Sequence, residues 1–189
     1  SNLKQDGIIA PEKSKFERSN IKLSLGVDVN DNLKVSTNLN YFAVDRKTIN
    51  ENGLGSVLFN ALNYSPLFEI DQEDVNGLFG NEIINPLSQI RDTYNSYSGS
   101  SIEGNFQLDY KLTDALKVTS RVGFKTYSDN GKTFSPIVNY GAGKVFNTTR
   151  STVSQSRNKY DSYTWDSFAT YKKLFADNHN VEATVGMTV

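Results

Sequence analysis

The strongest signal along the chain is alternation. Ile21, Leu23, Leu25, Val27 and Val29 are apolar at every second position, with Lys22, Ser24, Gly26 and Asp28 between them. After Asn30-Asp31-Asn32 the pattern resumes as Leu33, Val35, Thr37, Leu39, Tyr41 and Ala43, set against Lys34, Ser36, Asn38 and Asn40. Successive side chains of a strand point to opposite faces, so each run predicts a strand with one apolar face. The tight Asn/Asp connection predicts a hairpin. A second hairpin is predicted by Ile102, Gly104, Phe106, Leu108, Tyr110 and Leu112, a turn at Thr113-Asp114-Ala115, and Leu116, Val118, Ser120, Val122 and Phe124. A third has Tyr163, Trp165, Ala169 and Tyr171 outbound, a turn near Ala176-Asp177-Asn178, and Val181, Ala183, Val185, Met187 and Val189 on the return. With a less regular strand near Ser1 to Ile9, the pattern predicts about seven strands.

The connections are lopsided. Turns within hairpins take a few residues, whereas the hairpins are joined by stretches of about 48–100 and about 129–157. Structureless connections beyond ~12–15 residues are uncommon in compact domains. Short turns at one end and long loops at the other are the asymmetry of outer-membrane barrels. The expectation is therefore an all-β, antiparallel, up-and-down transmembrane β-barrel segment with short periplasmic turns and long extracellular loops. Alternation alone leaves a second possibility, a soluble β-sandwich serving as an extracellular binding module, with the apolar faces buried against each other. Aromatic residues favour the membrane: Tyr110 and Tyr171 fall near one interface, and Tyr41, Phe124, Tyr163 and Trp165 near the other. An odd number of strands does not close a single-chain bacterial barrel, so residues 1–189 are expected to form part of a larger one.

Composition narrows the function classes. Twenty Lys and Arg against 21 Asp and Glu leave a net charge of −1, which supplies no basic field for nucleic acid. The absence of Cys removes disulfides, thiolate nucleophiles and Cys-based zinc sites. A hydrophobic fraction of 37% is low for a globular core, yet it suits a barrel wall in which every second residue faces water. The opening Ser1-Asn2-Leu3-Lys4-Gln5-Asp6-Gly7 does not read as a secretory signal.

Candidate chemistry is sparse. Asp28-Val29-Asn30-Asp31-Asn32 begins like a calcium loop, but Leu33 stands where Gly is needed and Leu39 where a bidentate Glu is needed, so it reads as a turn. Gly141-Ala142-Gly143-Lys144 lacks the partners of a phosphate loop at Val138 and Val145 and reads as a flexible loop tip. Asp71, Glu73 and Asp74 read as a solvated acidic loop, and His179 as a strand-entry residue. No catalytic site, metal site or cofactor is expected. Leu54, Val57, Leu58, Ala61 and Leu62 recur at helical spacing and predict a short amphipathic helix packed on the barrel mouth. Tyr94 and Tyr97, with Asn85 and Arg91 nearby, are candidate ligand-binding residues that could stack on and hydrogen-bond a sugar.

Several stretches carry a resemblance. Phe16-Glu17-Arg18-Ser19-Asn20-Ile21-Lys22-Leu23 and Asn32-Leu33-Lys34-Val35-Ser36-Thr37-Asn38-Leu39-Asn40-Tyr41 resemble a paired-strand signature of the SusC/RagA-like TonB-dependent outer-membrane transporters. Gln5-Asp6-Gly7-Ile8-Ile9, Asn85-Pro86-Leu87, and Tyr163-Thr164-Trp165-Asp166-Ser167-Phe168-Ala169-Thr170-Tyr171 leading to His179-Asn180-Val181 are similar to family stretches in the same order. The resemblance implies a partial TonB-dependent receptor barrel over 1–189, without the plug domain. It also implies a place in the Gram-negative outer membrane and import of oligosaccharides or peptides. The implied partners are a SusD-like surface lipoprotein, outer-membrane lipid, and the TonB complex through the missing plug.

Overall fold

The computed structural model describes residues 1–8, 10–50, 52–78, 80–175 and 178–189. Its strands are β1 (Asn2–Asp6), β2 (Lys15–Asn30), β3 (Leu33–Lys47), β4 (Tyr94–Lys111), β5 (Leu116–Ser135), β6 (Thr152–Phe175) and β7 (His179–Thr188). They form one seven-stranded antiparallel sheet in strict chain order, open at β1 and β7. Two short helices, α1 (Val57–Asn63) and α2 (Pro86–Arg91), lie between β3 and β4.

The short turns are built by side chains. Asn30 Oδ1 accepts hydrogen bonds from the amides of Asn32 and Leu33, each at 2.9 Å, beside a register shift between Asp28 and Asn30. The calcium-like string is thus an Asn-closed turn, as its missing Gly and Glu imply. Thr113 Oγ1 closes the second turn by accepting from Ala115 and Leu116 at 3.3 and 3.1 Å. Ala176 and Asp177 of the third turn, and Ile9 at the expected end of the first strand, lie outside the described residues. His179 opens β7 opposite Phe175, in the strand-entry position expected of it.

The register stacks the apolar phases of successive strands. Ile21, Tyr41 and Ile102 share one row, Leu25, Thr37 and Phe106 another, and Val27, Val35 and Leu108 a third. Phe106 continues through Val122 to Trp165, and Tyr110 through Val118 to Ala169 and Val185. Gly104 makes room in this layer, since a Cβ there would come within 2.6 Å of Leu39 Cδ2. Among the described residues no second sheet or helix packs on the apolar face. Ile21 is 66% exposed, Leu25 54% and Val185 75%. This arrangement is not that of a β-sandwich, which would bury these side chains. The band from Leu33 to Tyr41 covers nine positions of β3, close to the ~9–11 tilted residues that cross a bilayer's hydrocarbon.

The strands run further than the alternation predicts. The connections are 48–93 and 136–151, because β4 starts at Tyr94, β5 continues to Ser135 and β6 starts at Thr152. Apart from the row of Tyr94, Phe134 and Val153 at their far end, segments 94–101, 127–135 and 152–161 carry polar residues in both phases, so they leave no sustained period-two signal while their backbone ladders continue. These rows form a polar extension beyond the apolar band, on the side of the long loops.

The loops, rather than the sheet, contain the buried core. Ile49, Val57 and Ile90 cluster, and Ile84 and Tyr140 are also buried. Helix α1 forms where expected, yet Leu54, Leu58 and Leu62 face outward and its buried side chains are Val57 and Asn60. Asn60 explains the rotation: its amide donates to Gln89 Oε1 at 2.8 Å and accepts from the Ile84 amide at 3.2 Å, and each bond needs the side chain inside. Gly141 to Lys144 is not a flexible tip. Gly141 has φ +133°, and a Cβ there would come 2.1 Å from the Asp74 carbonyl oxygen. Lys144 donates to Asp74 Oδ2 at 2.6 Å with both side chains buried, so the acidic loop is not solvated at Asp74. This pair joins the 48–93 and 136–151 connections into one unit.

Candidate functional site

The second phase of each strand builds the opposite, polar face of the sheet. Asn40, Glu103 and Lys125 share a row there. Glu103 accepts from the Asn40 amide at 3.1 Å and lies 3.6 Å from Lys125 Nζ. Four residues along β5, Arg121 donates to Asp166 Oδ2 from Nε at 3.0 Å and Nη2 at 2.6 Å, while Thr188 donates to Asp166 Oδ1 at 2.9 Å. Asn40, Glu103, Lys125, Arg121 and Asp166 edge a shallow depression of about 450 Å³. Such half-exposed ion pairs contribute little stability individually, about 0–1 kcal/mol. Their effect is to hold donors and acceptors at fixed positions along a wetted wall.

Above the level of the apolar band, the same face carries aromatic rings. The Arg46 guanidinium stands 5.0 Å from the Tyr97 ring centroid. The Tyr97 and Tyr127 hydroxyls hydrogen-bond across β4 and β5. Gly99 permits this reach, since a Cβ there would lie 3.3 Å from the Tyr97 hydroxyl. Tyr160 lies opposite Tyr127 on β6 and is 57% exposed. Ser101, opposite Tyr127 on β4, is buried and its hydroxyl has no hydrogen-bond partner among the described residues. Ring faces, a guanidinium and hydroxyls are the groups that stack on and hydrogen-bond sugars or peptide backbones.

The four candidate residues do not converge. Tyr97 belongs to this aromatic group. Tyr94 is three residues earlier, hence on the other face, where its ring lies 5.6 Å from that of Phe134 and 3.9 Å from Lys13 Nζ. Asn85 is buried as the N-cap of α2, accepting from the Leu87 amide at 2.9 Å and donating to the carbonyls of Ile70 and Gln72 at 3.3 and 3.0 Å. Arg91 forks onto Asp92, with both hydrogen bonds at 3.0 Å, and that hydrogen bond pushes its pKa above the ordinary value. Sequence reasoning missed Arg46, Tyr127 and Tyr160. The available signal was their polar phase, which can be followed only once the strands are known to extend into the polar segments. Among the described residues no group of three or more His, Cys, Asp or Glu side chains is placed to hold a metal ion.

No family model matches the chain, and no curated protein matches it. Among solved structures it is similar to the RagAB peptide transporter, at a TM-score of 0.72 and 17% identity over 93% of this chain and 20% of that one. The RagAB peptide importer in its open-open state gives the same figures. The closed-closed state gives a TM-score of 0.67 and 16% identity over 92% and 20%. The chain therefore spans about a fifth of the length of these structures. At such identity the likeness is one of fold alone.

Proposed function

We propose that this chain forms barrel wall and extracellular loops of an outer-membrane nutrient transporter of the SusC/RagA kind, in which the rest of a larger barrel closes the sheet. The observation that carries this reading is the uncovered apolar face, nine positions deep on β3, backed by a hydrogen-bonded polar face. In lipid the arrangement is favourable, because the backbone ladder satisfies every interior amide and the oily side meets hydrocarbon. The likeness in fold to a peptide transporter supports it. On this reading Arg46, Tyr97, Tyr127 and Tyr160 face an oligosaccharide or peptide passing through the mouth. The loop unit meets a SusD-like lipoprotein, TonB acts through a plug, and the chain has no catalytic role and needs no cofactor.

The test is site-directed labelling in the membrane-inserted transporter. Cysteines replacing Leu23, Leu108 and Val118 should react with a lipid-phase probe, and those replacing Asn105 and Gln107 with a water-phase probe. The reverse pattern would defeat the assignment.

A further inference from the structure

The polar extension has an outward side as well as a lumenal one, and its side chains are arranged unevenly. On the face that carries the apolar band, three polar rows stand between that band and the row of Tyr94, Phe134 and Val153. The first holds Ala43, Ser100, Ser128 and Lys159, the second Asp45, Ser98, Asn130 and Arg157, and the third Lys47, Ser96, Lys132 and Gln155. Over β4 and β5 the residues nearest the band are short and hydroxylated, while longer charged chains rise on β3 and β6. The result is a groove whose floor is the serines. The groove takes in adjoining depressions of about 480 and 320 Å³, the first reaching Arg157 and Lys159 and the second Lys47 and Glu17, with Lys132 placed at the rim by register. Its walls are three strand spacings apart, about 14 Å, which is wide enough for a phosphorylated sugar or glycerol headgroup.

The charges in this groove are largely uncommitted. Among the described residues Lys47, Lys132 and Arg157 have no hydrogen-bond or ion-pair partner, although elsewhere in the sheet Arg121, Lys125 and Lys172 are paired with acids. Lys159 is held by Asp161 at 3.0 Å. Asp45 and Glu17 are the acids of the groove, with Glu12 beyond its upper row beside Lys47 and Lys132. Glu17 is held by Lys15 at 3.4 Å, so the three free cations still outnumber the acids left to neutralise them. A surface in water gains nothing from leaving an arginine and two lysines unneutralised around a floor of hydroxyl donors. Phosphate oxygens would satisfy both sets of groups, with Arg157 able to bind them bidentately.

Position selects the source of the phosphate. The lowest row begins two residues beyond Ile102 and Thr126 at the edge of the apolar band, about 5 Å of rise at a typical strand tilt. The groove thus opens at the depth of the outer leaflet's headgroups, on the side that faces lipid. We infer that this groove binds the anionic phosphate headgroup of an outer-leaflet lipid, with Arg157, Lys47 and Lys132 on the phosphate and Ser98, Ser100 and Ser128 donating from the floor. The inference rests on the membrane reading proposed above. Bound lipid would then be an annular ligand fixing the height and rotation of the barrel wall.

The test uses the transporter containing this segment, reconstituted into nanodiscs, with a fluorophore on Gln155→Cys at the groove's edge. Quenching is compared between nitroxide carried on an anionic phospholipid headgroup and on phosphatidylcholine. A several-fold preference for the anionic lipid is expected, falling to parity in the triple variant Lys47→Gln, Lys132→Gln, Arg157→Gln. Nitroxide-labelled glycerol phosphate in solution should quench no better than a neutral nitroxide. Parity in the unmodified groove, an undiminished preference in the triple variant, or equal preference for the soluble phosphate would each overturn the headgroup site. A second fluorophore at Leu108→Cys reads acyl-chain nitroxide. Quenching there without lipid preference at residue 155 defeats only the headgroup site, whereas no quenching there defeats the membrane reading.

Discussion

The sheet and the loop unit reverse the usual division of labour between scaffold and connection. In an ordinary domain the sheet buries its apolar face and the loops stay wet. Here Ile21, Leu25 and Val185 of the sheet are exposed, whereas Ile84, Val57, Asn60 and Asn85 of the connections are almost wholly enclosed. The sheet is held by its backbone ladder, and its apolar side is uncovered among the described residues. Few of the loop unit's described apolar residues are buried, and its interior depends on specific polar bonds: Lys144 to Asp74, Asn60 to Gln89, and Asn85 to two carbonyls. A sheet whose apolar side chains do not interdigitate with a second layer tolerates exchange among hydrophobes. A core made of paired polar groups does not, because each lost partner leaves a buried group unsatisfied.

The largest expected effect breaks the loop unit alone. Asp74→Asn leaves the Lys144 ammonium buried without its counter-charge, at a cost of about 3–5 kcal/mol. Segment 48–93 should become protease-sensitive and lose hydrogen-exchange protection while the β4–β5 amides stay protected. Equal loosening of both regions would show that they fold as one unit.

Next comes the proposed lipid-facing side of the sheet. Leu108→Lys places a charge within the apolar band and should destabilise the bilayer-embedded barrel by about 2–4 kcal/mol, whereas the adjacent Gln107→Lys on the polar face should cost under about 1 kcal/mol. Equilibrium unfolding from liposomes measures the difference, and equal effects would contradict the assignment of faces.

A pH test follows. Burial, with the Asp92 carboxylate beside it, pushes the Tyr140 hydroxyl up to about 12, above its ordinary 10.0. A group whose folded pKa is raised contributes stability that is fully present below the unfolded value and lost as pH rises through the folded one. The loop unit should therefore lose up to about 3 kcal/mol between pH 10 and pH 12. Tyr140→Phe should flatten that dependence in hydrogen exchange of 136–151, with the sheet unaffected. The smallest effect is Asn85→Ala, which removes the α2 cap and should cost about 1–2 kcal/mol, read as faster exchange at Leu87 and Ser88.

The sequence was most legible where one face of a strand is apolar. The hairpins at Ile21–Ala43 and Ile102–Phe124 were legible, since one apolar and one polar face impose a strict period of two. The strand extensions at 94–101 and 127–135 were not legible, because water on both sides removes the contrast between faces. The same gap hid Tyr127 and Tyr160 and made Tyr94 and Tyr97 look like neighbours, although three residues along a strand lie on opposite faces. In the loop unit, helix α1 could be read from its apolar spacing but its orientation could not. The decisive contacts, Asn60 with Gln89 and Lys144 with Asp74, join residues 29 and 70 positions apart.

What the sequence determined by itself was local: strand phase, turn chemistry at Asn30 and Thr113, and the short-turn, long-loop asymmetry. Each depends on residues within a few positions of one another. Tertiary structure alone decided how far the strands extend, which long-range polar pairs close the loop core, and which basic residues gather along the outward rows. Those outcomes depend on register and on pairings between distant segments, and a polar residue carries no mark of its eventual partner until the chain brings the two together.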